Sequence, residues 1–329
     1  MNRLLISLII GIILGILIVI YDISGSIHDK KVKNLSSINI NNFSLLQLGS
    51  VLYKNKVTRK KAILAEIFHM AKQGKIKFIS KLEEGITGIK SSPVKTEIIS
   101  EEELSQEQKV IVNGLKEKKF LKDFFKDKRI YNQINKRIDK NLKENDLLSL
   151  ANIQIRKRIV IFSIIFFFVP AIIFGSYAIM RSRPIFFGLT VLLLISGTGR
   201  LIKIVTIPVL SKKGLKLKQK TNIYLDKKVQ RLKRKTKKEP EVAVKDFFEE
   251  LPLLILHNKF NKILIKKIKK RFEKVKRVNI PEWLELDDSS LNKSIKAGDI
   301  LEVVEFIVTS TLLMATTAGV LGSSKNGEK

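Results

Sequence analysis

Hydrophobic positions along the 329 residues follow two kinds of pattern. In some stretches they form unbroken runs. In others they recur every three or four residues between lysines. Leu4–Tyr21 is a run of 18 residues without a charge, Ile159–Met180 is a second of 22, and a third extends from Ile185 to Ile204. An α-helix needs about 20 apolar residues to cross a hydrocarbon layer of ~30 Å. Soluble core helices rarely stay uncharged on every face for that length. The runs therefore predict membrane helices.

Only Arg181-Ser182-Arg183-Pro184 separates the second run from the third, which predicts a tight antiparallel hairpin. Pro170 predicts a kink, tolerated in membranes where neighbours satisfy the freed carbonyl. The first run follows Arg3 and precedes Ser24-Gly25-Ser26, as in a signal peptide. Its length exceeds the usual apolar region of ~7–15 residues, which favours a retained anchor. Gly11 and Gly15 within it stand at the GxxxG spacing of closely approaching helices. A fourth segment, Phe306–Gly322, is shorter and rich in Thr, Ala and Ser. A span, a helix packed on the membrane domain and a free tail all fit it.

The remaining stretches read as amphipathic elements. Ser44–Tyr53 has helical spacing. Thr58 can cap a helix over Arg59–Gln73, with Gly74 as its terminator. Residues 75–80 alternate like a strand, Gly85 and Gly88 mark turns, and 95–100 can return. Ser105 with Gln108 forms a capping box before Gln106–Glu117. Helix, helix, hairpin is the order of a winged helix. Further on, residues 213–238 read as a basic helix. One or two more follow, with Phe247, Phe248, Leu251, Leu254, Ile255, Ile263, Leu264, Ile268 and Phe272 as their apolar stripe and Pro252 as a break or start.

Charge sharpens this picture. The formal net charge is +31; residues 41–157 carry +11 of it and 211–280 carry +17. Lys143, Arg156, Lys157 and Arg158 precede the hairpin. Arg200, Lys203, Lys212, Lys213, Lys216, Lys218 and Lys220 follow it, and its loop has only Arg181 and Arg183. The excess of Lys and Arg places both flanks in the cytoplasm and the N-terminus outside. Arg156, Lys157, Arg158, Arg200, Lys203, Lys212 and Lys213 are then the candidate contacts to anionic phospholipid headgroups. Each is worth about 1 kcal/mol near such a surface.

Candidate chemistry is sparse. There is no cysteine, which excludes disulfides, thiol catalysis and Cys-ligated metals. His28, His69 and His257 lack ligand spacing. The stretch 85–92, GITGIKSS, departs from the phosphate-loop spacing because Ile89 separates Gly88 from Lys90. Glu101–Glu103 and Asp287-Asp288 read as solvated surface acids. The three long apolar runs contain no Asp, Glu or His, groups that pumps and proton-coupled transporters use at depth. No cofactor or catalytic residue is implied.

Several segments resemble the cytoplasmic region of YciQ-like predicted membrane proteins. They are SLLQLGSVLYKNKVTRKKAILAEIFHMAKQGKIKF (44–78), LSQEQKVIVNGL (104–115), LSKKGLKLKQKTNIYLDKKVQRL (210–232) and FFEELPLLILHNKFNKILIKKIKKRFEKVKRVNIPEWL (247–284). The order of these pieces carries the resemblance. Ser211 stands where the family has Thr, Leu253-Leu254 replace its Tyr-Ala, and the Gly-rich tail is reduced to Gly319, Gly322 and Gly327. The family's large extracellular domain has no counterpart before the first run. The resemblance implies a membrane location and an unassigned role, and it transfers no catalytic residue.

The expectation is a mainly α membrane protein. It has an N-terminal transmembrane helix (1–22), a winged-helix-like α+β cytoplasmic domain (38–150), a transmembrane hairpin (158–206), a basic helical cytoplasmic domain (211–290) and an apolar C-terminal segment (300–322). The function expected is a non-enzymatic scaffold or signalling component at the cytoplasmic face of the cell membrane, with a protein partner still to be identified. Membrane-anchored binding of nucleic acid, and an oligomeric transporter or channel, are the alternatives.

Overall fold

The computed structural model describes residues 5–6, 9–13, 16, 38–53, 59–85, 88–91, 94–118, 120–181, 183–207, 209–257, 268, 272, 275, 279–287, 297 and 300–309. Among them the chain is mainly helical with one small sheet. It divides into two compact units, one of residues 1–34 and 146–215, the other of residues 35–145 and 216–329.

The larger unit is built around one buried helix. Helix α1 (Leu45–Leu52) starts at a capping box in which Ser44 accepts from the Gln47 amide and Gln47 accepts from the Ser44 amide. Helix α2 (Lys60–Lys72) follows. A side chain at Gly49 would collide with Ala62, so α1 and α2 pack closely only because that position is glycine. Thr58, the expected cap of α2, lies outside the described residues, and Arg59 stands at the N-cap without a side-chain bond. Gly74 terminates α2 at φ 74°, the left-handed conformation that glycine adopts without a Cβ penalty.

The chain then enters β1 (Ile76–Gly85), which pairs antiparallel with β2 (Gly88–Ser91) and β3 (Lys95–Ile98). The register moves by one residue between the two stretches, from Leu82 opposite Ser91 to Ile79 opposite Lys95. Helices α3 (Gln106–Lys116), α4 (Leu121–Lys126) and α5 (Lys128–Glu144) come next. The Ser105–Gln108 capping box forms as expected, and Asp127 caps α5 through the amides of Arg129 and Ile130.

Where the sequence suggests a separate basic domain over 211–290, its helices join this same unit. Helix α9 is Lys212–Lys238 and α10 is Pro240–Leu256, the latter opened by Pro240 at its first turn. Helix α10 packs on α2, and Pro252 is buried within it rather than ending it. Strand β4 (Leu284–Asp287) then adds parallel to β1, where the Phe78 amide donates to the Trp283 carbonyl at 2.8 Å. Trp283 sits edge-on to Phe68 and Phe78, at ring distances of 5.6 and 5.9 Å. These aromatics join the sheet to α2. Of the expected C-terminal segment 300–322, residues 301–309 are helical, with Ile300, Leu301, Val303, Val304, Ile307 and Val308 buried. Residues 310–322 lie outside the described set.

Helix α2 holds one buried acid. Glu66 is 2 % exposed and accepts from the Gln108 side-chain amide at 2.7 Å, with the Leu46 backbone also favouring its charged form. Burial pushes its carboxyl above the ordinary range, with Glu107 adding to the shift and Gln108 and Lys75 opposing it. A folded-state pKa above the unfolded value means that Glu66 contributes most below about pH 4, the unfolded value. Its contribution falls as pH rises through the folded value. Glu66→Gln keeps the Gln108 bond without the charge. The variant should unfold at a higher temperature than the native chain at pH 7.5, by about 1–3 kcal/mol of stability, and the gap should shrink toward pH 4. Circular dichroism melts across that range check it.

Candidate functional site

The site with the most distinctive physical chemistry is the apolar hairpin. Its first leg runs without interruption from Leu150 to Arg181. It comprises α6 (Leu150–Ser163), a π-helical turn (Ile164–Phe168) and α7 (Val169–Arg181). The second leg is α8 (Pro184–Thr206), with Pro184 at its first position. Both legs are long and apolar enough to cross a membrane: 32 residues and 19 residues over Pro184–Ile202. At 1.5 Å per residue the shorter covers about 28 Å.

The expected kink at Pro170 takes the form of the π turn. Proline cannot donate to the carbonyl four residues back. The wider turn just before it lets the Val169 amide bond to the Ile164 carbonyl instead. Small residues bring the legs together. Ala171 and Ala178 are fully buried, Gly175 faces Thr190, and a side chain at Gly197 would strike Phe167 and Phe168. Phe186 stacks on Phe174 at 5.9 Å and meets Tyr177 edge-on at 4.9 Å. The hydroxyls of Ser176, Thr190 and Thr198 donate to carbonyls one turn back, so they need no water.

Part of the first apolar run packs here as well. Its described residues are helical, and a side chain on Gly11 would collide with the carbonyl of Gly188 in α8. Two glycines meeting this way let the backbones touch. Gly15 and the rest of the expected 1–22 helix lie outside the described residues.

The base of the hairpin is closed by a neck that the spacing of apolar residues does not indicate. Leu148 bridges Leu210. The Ser149 amide donates to Val209 at 2.8 Å, and the Ser211 amide donates to Leu147 at 3.0 Å. The Ser211 hydroxyl donates to the Asp146 carbonyl and accepts from the Gly214 amide at 3.0 Å. A side chain at Gly214 would strike the Leu147 carbonyl. Ser211 and Gly214, three residues apart, therefore tie the exit of the hairpin to its entry. The only local signals were the serine–glycine spacing and the Asp146 turn, which adopts φ 56°.

The seven candidate headgroup contacts divide. Arg156 turns inward: its Nε and Nη2 donate to the Ile207 carbonyl at 2.9 and 2.6 Å, closing the C-terminus of α8. Arg200 lies over the rings of Phe162 and Phe167 at 5.3 and 5.1 Å. Lys157, Arg158, Lys212 and Lys213 are exposed. The side chain of Lys203 lies outside the described set.

The cations at the start of α2, Arg59 and Lys60, which a nucleic-acid-binding winged helix would offer to phosphate, are turned away from solvent. Arg59 is 7 % exposed and pairs with Asp139 at 2.6 Å; Lys60 is 9 % exposed and donates to the Phe125 carbonyl at 3.1 Å. Burial lowers the Lys60 and Lys61 pKa values. Lys72 donates to the Glu249 carbonyl at 3.0 Å. Nearly every other residue of α2 is buried.

An open groove of about 1320 Å³ lies in the larger unit, lined by Lys72, Lys77, Ile99, Lys245, Phe248 and Trp283 among others. Its Lys77 is paired with Glu285 at 2.6 Å. His69 contacts the Gln73 side-chain amide, His257 contacts Asp226 at 2.9 Å, and His28 lies outside the described residues. Among the described residues no cluster of His, Asp and Glu could hold a metal ion. Comparison with protein-family models, with curated proteins and with solved structures finds no match.

The neck gives a direct test. Arg156→Met keeps the aliphatic bulk and removes both bonds to Ile207. It should cost about 1.5–3 kcal/mol and open residues 207–211 to proteolysis in detergent, whereas Ser176→Ala should leave the cleavage rate unchanged.

Proposed function

We propose that the chain is an integral membrane protein in which the α6–α8 hairpin crosses the bilayer twice. The loop at Arg181–Pro184 faces outward and both legs return to the cytoplasm. One observation carries this reading. Ile172, Ile173, Ile179, Met180 and Ile185 are 60–81 % exposed on the hairpin, amid many more large apolar side chains. Burying one such side chain is worth about 1.5–3 kcal/mol, so water is a poor solvent for this surface and lipid a good one. The chain has no Asp, Glu or His between Ile159 and Ile204 to serve ion passage. The close Gly11–Gly188 contact supports retention of the first segment as a third membrane helix.

In this reading the larger unit is a cytoplasmic, non-enzymatic scaffold or signalling module that acts through a protein partner. The helix, helix, strand order of residues 44–98 supports a winged-helix-like reading of this module. Burial of α2 disfavours its entry into a nucleic-acid groove and favours use of that fold for protein contact. The flank charges Lys157, Arg158, Lys212 and Lys213 supply the orientation signal.

The native chain lacks cysteine, so single-cysteine variants report topology without background. Arg183→Cys should react with an impermeant maleimide on intact cells. Lys109→Cys and Lys237→Cys, both at exposed positions, should react only after permeabilisation. Labelling of position 109 or 237 on intact cells would overturn the arrangement.

A further inference from the structure

Helix α9 buries one face and leaves the opposite face cationic. Leu217, Thr221, Leu225, Val229, Leu232 and Thr236 are buried, at the spacing of one helical stripe. Two of its lysines lie beside that stripe and are neutralised by α10: Lys228 pairs with Glu250, and Lys235 with Asp246. The outward residues are different. Lys227, Arg231, Arg234 and Lys238 recur at intervals of four, three and four residues, so they project from one line about 16 Å long. All four are exposed, and none forms an ion pair with a described residue. Ile223, one turn earlier on the same line, is 43 % exposed.

We propose that this line is a docking surface for anionic phospholipid headgroups, a site distinct from the charges at the hairpin base. The inference rests on the membrane reading above. The arrangement selects the occupant. Four cations on one straight line match a flat, negatively charged surface, and each contributes about fivefold in partitioning. An exposed isoleucine in that line can enter the headgroup boundary. A phosphodiester backbone makes no use of it. The same chain carries the hairpin, so the surface operates at the high effective concentration that a tether provides. Asp246 and Glu250 of α10 pair with the inward lysines and not with the outward four.

The test uses the full chain in nanodiscs with a nitroxide at Gln230→Cys, an exposed position beside the line. Relaxation by a nickel chelate attached to headgroups is compared in phosphatidylcholine and in phosphatidylcholine with 30 mol% phosphatidylglycerol. Relaxation should rise several-fold in the anionic discs and fall with 0.5 M salt. It should return to the neutral-lipid level when Lys227, Arg231, Arg234 and Lys238 are all changed to Gln. The variant with K227R and K238R should keep the full signal, which separates charge from misfolding. Equal relaxation in both lipids would overturn the site, as would a signal lost only on adding single-stranded RNA, which would identify nucleic acid as the occupant. A nitroxide at Ile172→Cys in the same discs, shielded from a water-soluble chelate only when the hairpin is inserted, reports insertion independently, so failure of the membrane reading is read separately.

Discussion

A hairpin with large apolar side chains on its outside is poorly solvated by water, and on the membrane reading proposed above it must also have its two ends held together. The legs meet through Ala171, Gly175, Ala178 and Gly197, which let backbones approach where no hydrophobic gain separates helix from lipid. The ends are held by backbone bonds between residues 147–149 and 209–211 and by Arg156 on the Ile207 carbonyl. Without that neck, the carbonyls at the end of α8 would have to find other donors at the edge of the apolar region.

The neck also explains the division of the basic flank. Arginine offers a planar fork of donors and a delocalised charge that stacks on aromatic rings. Arg156 and Arg200 use these properties inside the hairpin, while the lysines at 157, 212 and 213 remain outward. In the larger unit the same economy recurs. Arg59 and Lys60 are tied to Asp139 and to a backbone carbonyl, and α10 supplies acids to the inward lysines of α9.

Local signals were legible in the sequence where the cause is local. The Ser105–Gln108 capping box, the Gly74 terminator, the β1 alternation, the end of α7 at Arg181 and the start of α8 at Pro184 all rest on spacing within a few residues. What sequence reading missed depends on distant partners. Strand β4 has no pattern of its own and exists because Trp283 packs on Phe68 and Phe78, some two hundred residues away. Charge alone left Arg59, Lys60 and Lys72 available to a nucleic-acid backbone; partners on α5 and α4 turn Arg59 and Lys60 inward, and Lys72, still exposed, donates to a carbonyl of α10. Composition likewise separated 38–150 from 211–290, although α10 completes the burial of α2. For the candidate site, the two legs and their exposed apolar surface were readable, and the neck was not, because hydrogen bonds between backbone groups leave little trace in side-chain order.

The central claim is that α6–α8 lies in hydrocarbon. Nitroxides placed singly at Ile161, Ile165, Ile172 and Ile179 of the full chain, reconstituted in phospholipid bilayers, would test it through their collision with oxygen and with a water-soluble nickel chelate. Oxygen should dominate most strongly at Ile172, near the middle of the apolar run Ile159–Met180, with the chelate gaining toward Ile161 and Ile179. Chelate accessibility equal at all four positions, or a chain that fails to remain with the lipid, would contradict it.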